Sequence, residues 1–154
     1  MKRFFAAAIL LSLSQAALAE AGAVDVPDEA KAAVAVVDRF LDSLSSGNLN
    51  QAAGLLDPDV VILESGGAEH SAAEYLGHHA KADAEYLKDA RQTLKRRMAR
   101  VAGNIVWVAS ESEIETPKDD KPVVTASTET MVLRSTDAGW KIVHIHWSSR
   151  TKSR

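Results

Sequence analysis

Apolar positions recur through residues 28–46 at helical spacing. Ala33, Val36, Val37, Phe40, Leu41 and Leu44 fall on one stripe. Asp28 and Glu29 stand where acidic side chains suit a helix N-terminus, and Gly47 closes the helix just past its end. Asn48 caps a short second helix through Leu56, which Asp57-Pro58 stops. Val60 to Leu63 is a β-branched run that reads as a strand, and Ser65-Gly66-Gly67 is a turn. Ser71-Ala72-Ala73-Glu74 forms a capping box. A third helix therefore starts there, carries Tyr75, Leu76, His78 and His79, and continues with a break through Leu87.

Beyond residue 90 the pattern changes. Arg91 to Val101 fits helix and strand alike by period, but Gly103-Asn104 behind it is a hairpin turn signal. Ile105 to Glu115, Val123 to Arg134 and Trp140 to Ser149 read as strands, divided by the charged loop 117–122 and the turn Asp137-Ala138-Gly139. Helices grouped ahead of long strands predict an α+β fold, with the helices on one face of a curved sheet.

Residues 1–19 obey a different logic. Met1-Lys2-Arg3 is a basic start, Phe4 to Leu13 is rich in apolar residues, and Ala17-Leu18-Ala19 is the A-x-A pattern read by signal peptidase. The apolar run is shorter than the ~20 residues a membrane-crossing helix needs. No Cys follows it to carry lipid, and no later segment is long and apolar enough to span a bilayer. The expectation is a signal peptide over 1–19, a mobile leader over 20–27, one domain over 28–150 and a basic tail over 151–154. The product would be periplasmic or secreted after cleavage near Ala19.

Composition narrows the chemistry. There is no cysteine among the 154 residues, so disulfides, thiolate metal sites and Cys nucleophiles are excluded. Removing Lys2 and Arg3 with the leader takes the formal net charge from −3 to −5, which argues against a nucleic-acid binder. Lys88, Arg91, Lys95, Arg96, Arg97 and Arg100 form a local basic stretch, read as a solvated strand face rather than an anion site.

The ending Gly139-Trp-Lys-Ile-Val-His-Ile-His-Trp-Ser148 resembles the last strand of SnoaL-like proteins of the nuclear-transport-factor-2-like superfamily. The upstream run from Gly47 to Val60 fits the same order, and the resemblance covers residues 28–149, nearest to an uncharacterised exported branch. That superfamily also holds ketosteroid isomerases, scytalone dehydratases and the association domain of calcium/calmodulin-dependent kinase. The resemblance implies a cone-shaped curved antiparallel sheet of six strands packed on three N-terminal helices. It further implies a pocket at the open end and a homodimer paired through the outer face of the sheet.

All five histidines fall in two clusters: His70, His78 and His79 around the third helix, and His144 and His146 on the last strand. Simple alternation would put Ile142, His144, His146 and Ser148 on one side of that strand, and Val143, Ile145 and Trp147 on the other. Glu129 would share a face with Met131 and Leu133. His79 and Asp83, four apart on a helix, can meet on one side.

Three readings follow if these groups converge. A polar pocket would orient a small-molecule ligand through Glu129, His144, His146 and His78. An isomerase- or dehydratase-like site would use His79, Asp83, His144 or His146 as acid or base. A Zn or Cu site would draw on His78, His79, Asp83, His144 and His146, with Glu64 or Glu129 as further oxygen donors. The first is preferred, with no cofactor required. Against all three stands the plain alternative that a His-x-His pair in a strand is hydrogen-bonded packing.

Overall fold

The computed structural model describes residues 23–118 and 121–153. The expected signal peptide and its cut at Ala19 lie outside the described residues. Ala23–Asp25 forms a short strand, β1, where a mobile leader was expected; it gains order by pairing parallel with the β4 segment Arg96–Met98. A single 3-10 turn at Asp28–Ala30 leads into α1, Lys31–Ser45. The helix buries Ala33, Val36, Val37, Phe40 and Leu44, the stripe its spacing predicts, while Leu41 stays half-buried. Gly47, at φ +71°, supplies the left-handed residue that ends it.

Asn48 caps α2, Leu49–Leu55, by accepting from the Gln51 backbone N–H. Strand β2 is Leu56–Glu64, and β3, Gly67–Glu69, folds back on it. Ser71 caps α3, Ala72–Gly77, through the Glu74 N–H. The third helix does break: His78 leaves helical geometry, and α4 restarts over Ala80–Lys88. Helices therefore number four among the described residues, not three.

Strands β4 (Arg91–Ala102), β5 (Ile105–Thr116), β6 (Val123–Thr136) and β7 (Gly139–Thr151) form an antiparallel meander. β7 then pairs parallel with β2, so the sheet runs β1-β4-β5-β6-β7-β2-β3. The expected six antiparallel strands become seven with a parallel pair at each flank, because both crossovers pass through helices. The last strand reaches Thr151, one residue into the expected tail. The sheet curves around α1, whose Phe40 lies stacked 6.4 Å from Trp147 of β7. Met131, Leu133, Ile142 and Ile145 of the sheet and Phe40 and Leu44 of α1 are almost fully buried.

Burying each such side chain contributes roughly 1.5–3 kcal/mol, against about 1 kcal/mol for a cap such as Asn48. Packing, more than capping, fixes where α1 lies. Among the described residues no helix is long and apolar enough to cross a membrane.

Candidate functional site: a carboxyl-lined cavity in the cone

At one end of the cone the core gives way to a cavity of about 800 Å³. Asp38, Leu41 and Asp42 of α1 form one wall, and Asp83, Tyr86 and Leu87 of α4 form the next. The concave face of the sheet supplies the floor through Leu94 and Arg97, Ser110 and Ile114, Thr125 and Glu129, and Trp147. Strand alternation explains the set. Arg97 pairs with Ser110, Ser110 with Glu129 and Glu129 with Trp147, one inward row across four strands.

Glu129 is the most unusual member of that row, at only 8 % exposure. Its Oε2 accepts from the Trp147 indole N–H at 2.9 Å, while Oε1 lies buried with no hydrogen-bond partner. Burial pushes its pKa up; the Trp147 hydrogen bond, the nearby Arg97 guanidinium and Ser110 act the other way, and Asp38 adds to the rise. Arg97 is itself buried: its Nε donates to the Ser110 hydroxyl at 3.1 Å and its Nη1 to Asp38 at 2.5 Å. A guanidinium held by the Asp38 carboxylate and the Ser110 hydroxyl, with Glu129 nearby, is a fixed polar centre, since buried charge persists only when paired.

A second polar group stands where α3 and α4 meet β2. The buried Tyr75 hydroxyl donates to Asp83 Oδ2 at 2.7 Å. Burial raises the pKa of Asp83, with the Tyr75 hydrogen bond and His79 opposing. Glu64 rises through burial and then through the charge of Asp83, with His79 opposing. Tyr75 is pushed far above its ordinary value, first by burial and then by Asp83. Asp83 and Glu64 line the cavity, so carboxyls with raised pKa face it from both sides.

The histidines lie elsewhere. His144 pairs with Val132 and His146 with Thr130, on the outer face of the sheet, while Ile142, Ile145 and Trp147 face inward opposite Leu133, Met131 and Glu129. Strict alternation cannot put Ile142 and Ile145 on one face. An extra residue, Val143, breaks the register between Val132 and Leu133, and this bulge reconciles them. The expected grouping of Ile142 with the histidine pair is thereby corrected. His144 Nδ1 lies 2.9 Å from the Val61 carbonyl oxygen, a contact to the neighbouring strand.

His78 ends α3 and His79 begins α4, both exposed, with their rings edge-to-face at 4.7 Å. His79 Nδ1 pairs with the buried carboxylate of Glu69. Imidazoles from the two ends of the chain therefore do not converge in this cavity: the sheet stands between them, and none is among its lining residues. Of the expected groups, Glu129, Asp83 and Glu64 do meet there. Among the described residues no set of three or more His, Asp or Glu is grouped to hold a metal ion.

Arg97, Asp38, Ser110 and Tyr75 were not singled out from sequence as site residues. Five members of the basic stretch are exposed as expected, with Arg96 near Glu111 and Arg100 bonded to Asp25 at 2.6 Å. Arg97 turns inward because a second bulge at Lys95 shifts the phase of β4. In the sequence its one sign is the small apolar Ala99 two residues on, at strand period, which is buried with it in the structure.

The SnoaL-like domain family model matches residues 33–151. A candidate ketosteroid isomerase from Shewanella frigidimarina is 35% identical with a TM-score of 0.74, covering 80% of this chain and 99% of that one. The CaMKII hub of S. rosetta is 24% identical with a TM-score of 0.64, over 78% of this chain and 95% of that one. An NTF2-like protein with a cystatin-like fold from Novosphingobium aromaticivorans is 16% identical with a TM-score of 0.65, over 75% of this chain and 78% of that one. These last two likenesses concern the fold alone. No curated protein matches the chain.

Proposed function

Since this chain belongs to the SnoaL-like domain family, we propose that it binds a small organic molecule in the cone cavity, anchored by the buried carboxyl of Glu129. The observation that carries this reading is Glu129 Oε1, which is buried at the cavity floor and lacks a partner. An unmet buried acceptor costs roughly 1–3 kcal/mol, and a ligand group that hydrogen-bonds it recovers that cost. About 800 Å³ is within the usual range of ligand pockets, and the apolar side chains around a few polar groups fit their usual make-up.

A ligand-observed NMR screen of small cyclic ketones, alcohols and amines tests the reading. Binders should lose their signal with Leu94→Trp, which fills the cavity. Binding that is indifferent to this change in a folded variant would argue for a site elsewhere.

A second reading, isomerase-type acid–base chemistry, is favoured by the raised pKa values of Glu129 on the floor and Asp83 on a wall of the same cavity, since a carboxyl group tuned upward exchanges protons more readily near neutral pH. The likeness to the Shewanella protein supports it. Protein-dependent deuterium exchange beside the carbonyl of a bound ketone, lost in Asp83→Asn or Glu129→Gln, would be its signature.

The outer face suits a second copy of the chain. Val61, Trp107, Val132 and His144 form a half-buried row across it, and covering such a row removes apolar surface from water. Light scattering should give a dimer mass for the protein and a monomer mass for Trp107→Glu. Export rests on the order of Met1-Lys2-Arg3, the apolar run and Ala17-Leu18-Ala19. Sequencing the N-terminus of protein recovered from the periplasm should read from Glu20.

A further inference from the structure

The walls of the cavity are unequal in charge: Asp38, Asp42, Glu64, Asp83 and Glu129 face it, against Arg97 and Arg150. Arg97 is already engaged by Asp38 and Ser110, and Arg150 sits exposed at the rim. Glu129 Oε1 remains the unpartnered buried acceptor. Acidic groups outnumber basic ones around this space, so their summed field favours a cation, and an anion would enter against it.

Resting on the ligand-binding reading above, we propose that the cavity selects a small organic cation: an amine whose ammonium donates to Glu129 Oε1. Its hydrocarbon body would lie against Leu41, Leu87, Leu94, Ile114 and Trp147, which line the same space. A charge-assisted hydrogen bond is about twice as strong as a neutral one, so the ammonium gains more here than a hydroxyl of the same shape.

The groups that face Glu129 are Trp147 from β7, Arg97 from β4, Ser110 from β5 and Asp38 from α1. With these fixed, ammonium and proton compete for one carboxyl group. Amine affinity therefore rises as pH climbs through the raised titration of Glu129, below the amine's own titration, whereas affinity for a neutral analogue stays flat.

Isothermal titration calorimetry with cyclohexylmethylamine, cyclohexylmethanol and cyclohexanecarboxylate, which share one ring, tests the proposal on the purified protein. The amine should bind about tenfold tighter than the alcohol. The carboxylate should bind weakest. Glu129→Gln, with its fold checked by circular dichroism, should abolish the preference for the amine while leaving the alcohol bound. The pH series on the unaltered protein gives the same answer without a variant.

Equal affinity for amine and alcohol with no pH dependence overturns the proposal. So does tightest binding of the carboxylate, which would assign the site to Arg97 and Arg150. If none of the three binds while other fragments occupy the cavity, the cation inference fails alone; if no fragment binds there, the ligand-binding reading fails with it.

Discussion

The two faces of the same four strands have opposite characters. On the concave face β4 to β7 carry a buried polar row, Arg97, Ser110, Glu129 and Trp147, beside the apolar core of Met131, Leu133, Ile142 and Ile145. On the convex face they carry cross-strand charge pairs such as Arg96 with Glu111 and Lys95 with Glu113, the two strand histidines, and no fully buried charge among the described residues. Charge on the convex side keeps its water, so its pairs contribute little. Charge on the concave side has lost its water, so each partner there matters and the Glu129 carboxyl titrates higher.

The largest contrast lies between neighbours on β7. Ile145→Ala should destabilise by about 2–5 kcal/mol, since Ile145 is fully buried against Met131. Urea unfolding measures this; a loss below about 1 kcal/mol would mean that the bulge does not turn Ile145 inward.

Two arginines one residue apart give the next effect. Arg97→Leu should cost roughly 1–3 kcal/mol, because it strips Ser110 and Asp38 of their buried partner and Glu129 of the nearby positive charge. Arg96→Ala, beside Glu111 on the exposed side, should cost within about 0.5 kcal/mol. Equal losses would erase the distinction between the faces.

Glu129→Gln should change stability by about 1 kcal/mol in a pH-dependent way. The Glu129 carboxyl titrates higher folded than unfolded, so the folded state holds the proton more tightly. Its favourable contribution is fully present below the unfolded carboxyl range, near pH 4, and is lost as pH rises through the raised folded value. Gln stays neutral throughout, so the variant should gain on the unaltered protein as pH climbs above the unfolded carboxyl range, near pH ~4, and through the raised folded value. A parallel pair of stability-versus-pH curves would show that this carboxyl is not desolvated.

The smallest effect belongs to His146→Ala. This exposed outer residue should shift the unfolding midpoint of the monomer by no more than about 0.5 kcal/mol, and ligand affinity not at all.

Much of the scaffold was readable one residue at a time. The 33–44 stripe, the Asn48 and Ser71 caps, the break before Ala80, the turns at Gly103 and Gly139, and the strand meander each rest on local periodicity or a cap, and each reappears. The inward facing of Glu129 with Met131 and Leu133 was legible too, because β6 alternates without interruption over that stretch. β7 and β4 were not legible in the same way, because each holds one extra residue whose only sign is a partner strand that lacks it.

The amino-acid order by itself determined the elements, their sequence and the α+β class, since helix stripes, caps and turns are satisfied by near neighbours. Only the folded sheet decided that Arg97 faces in and His144 and His146 face out, and that Asp38, Asp83 and Glu129, 91 positions apart at the extremes, share one cavity. The physical reason is that a bulge reverses every later side chain on its strand, and whether one forms depends on which register buries the most apolar surface across strands distant in the chain.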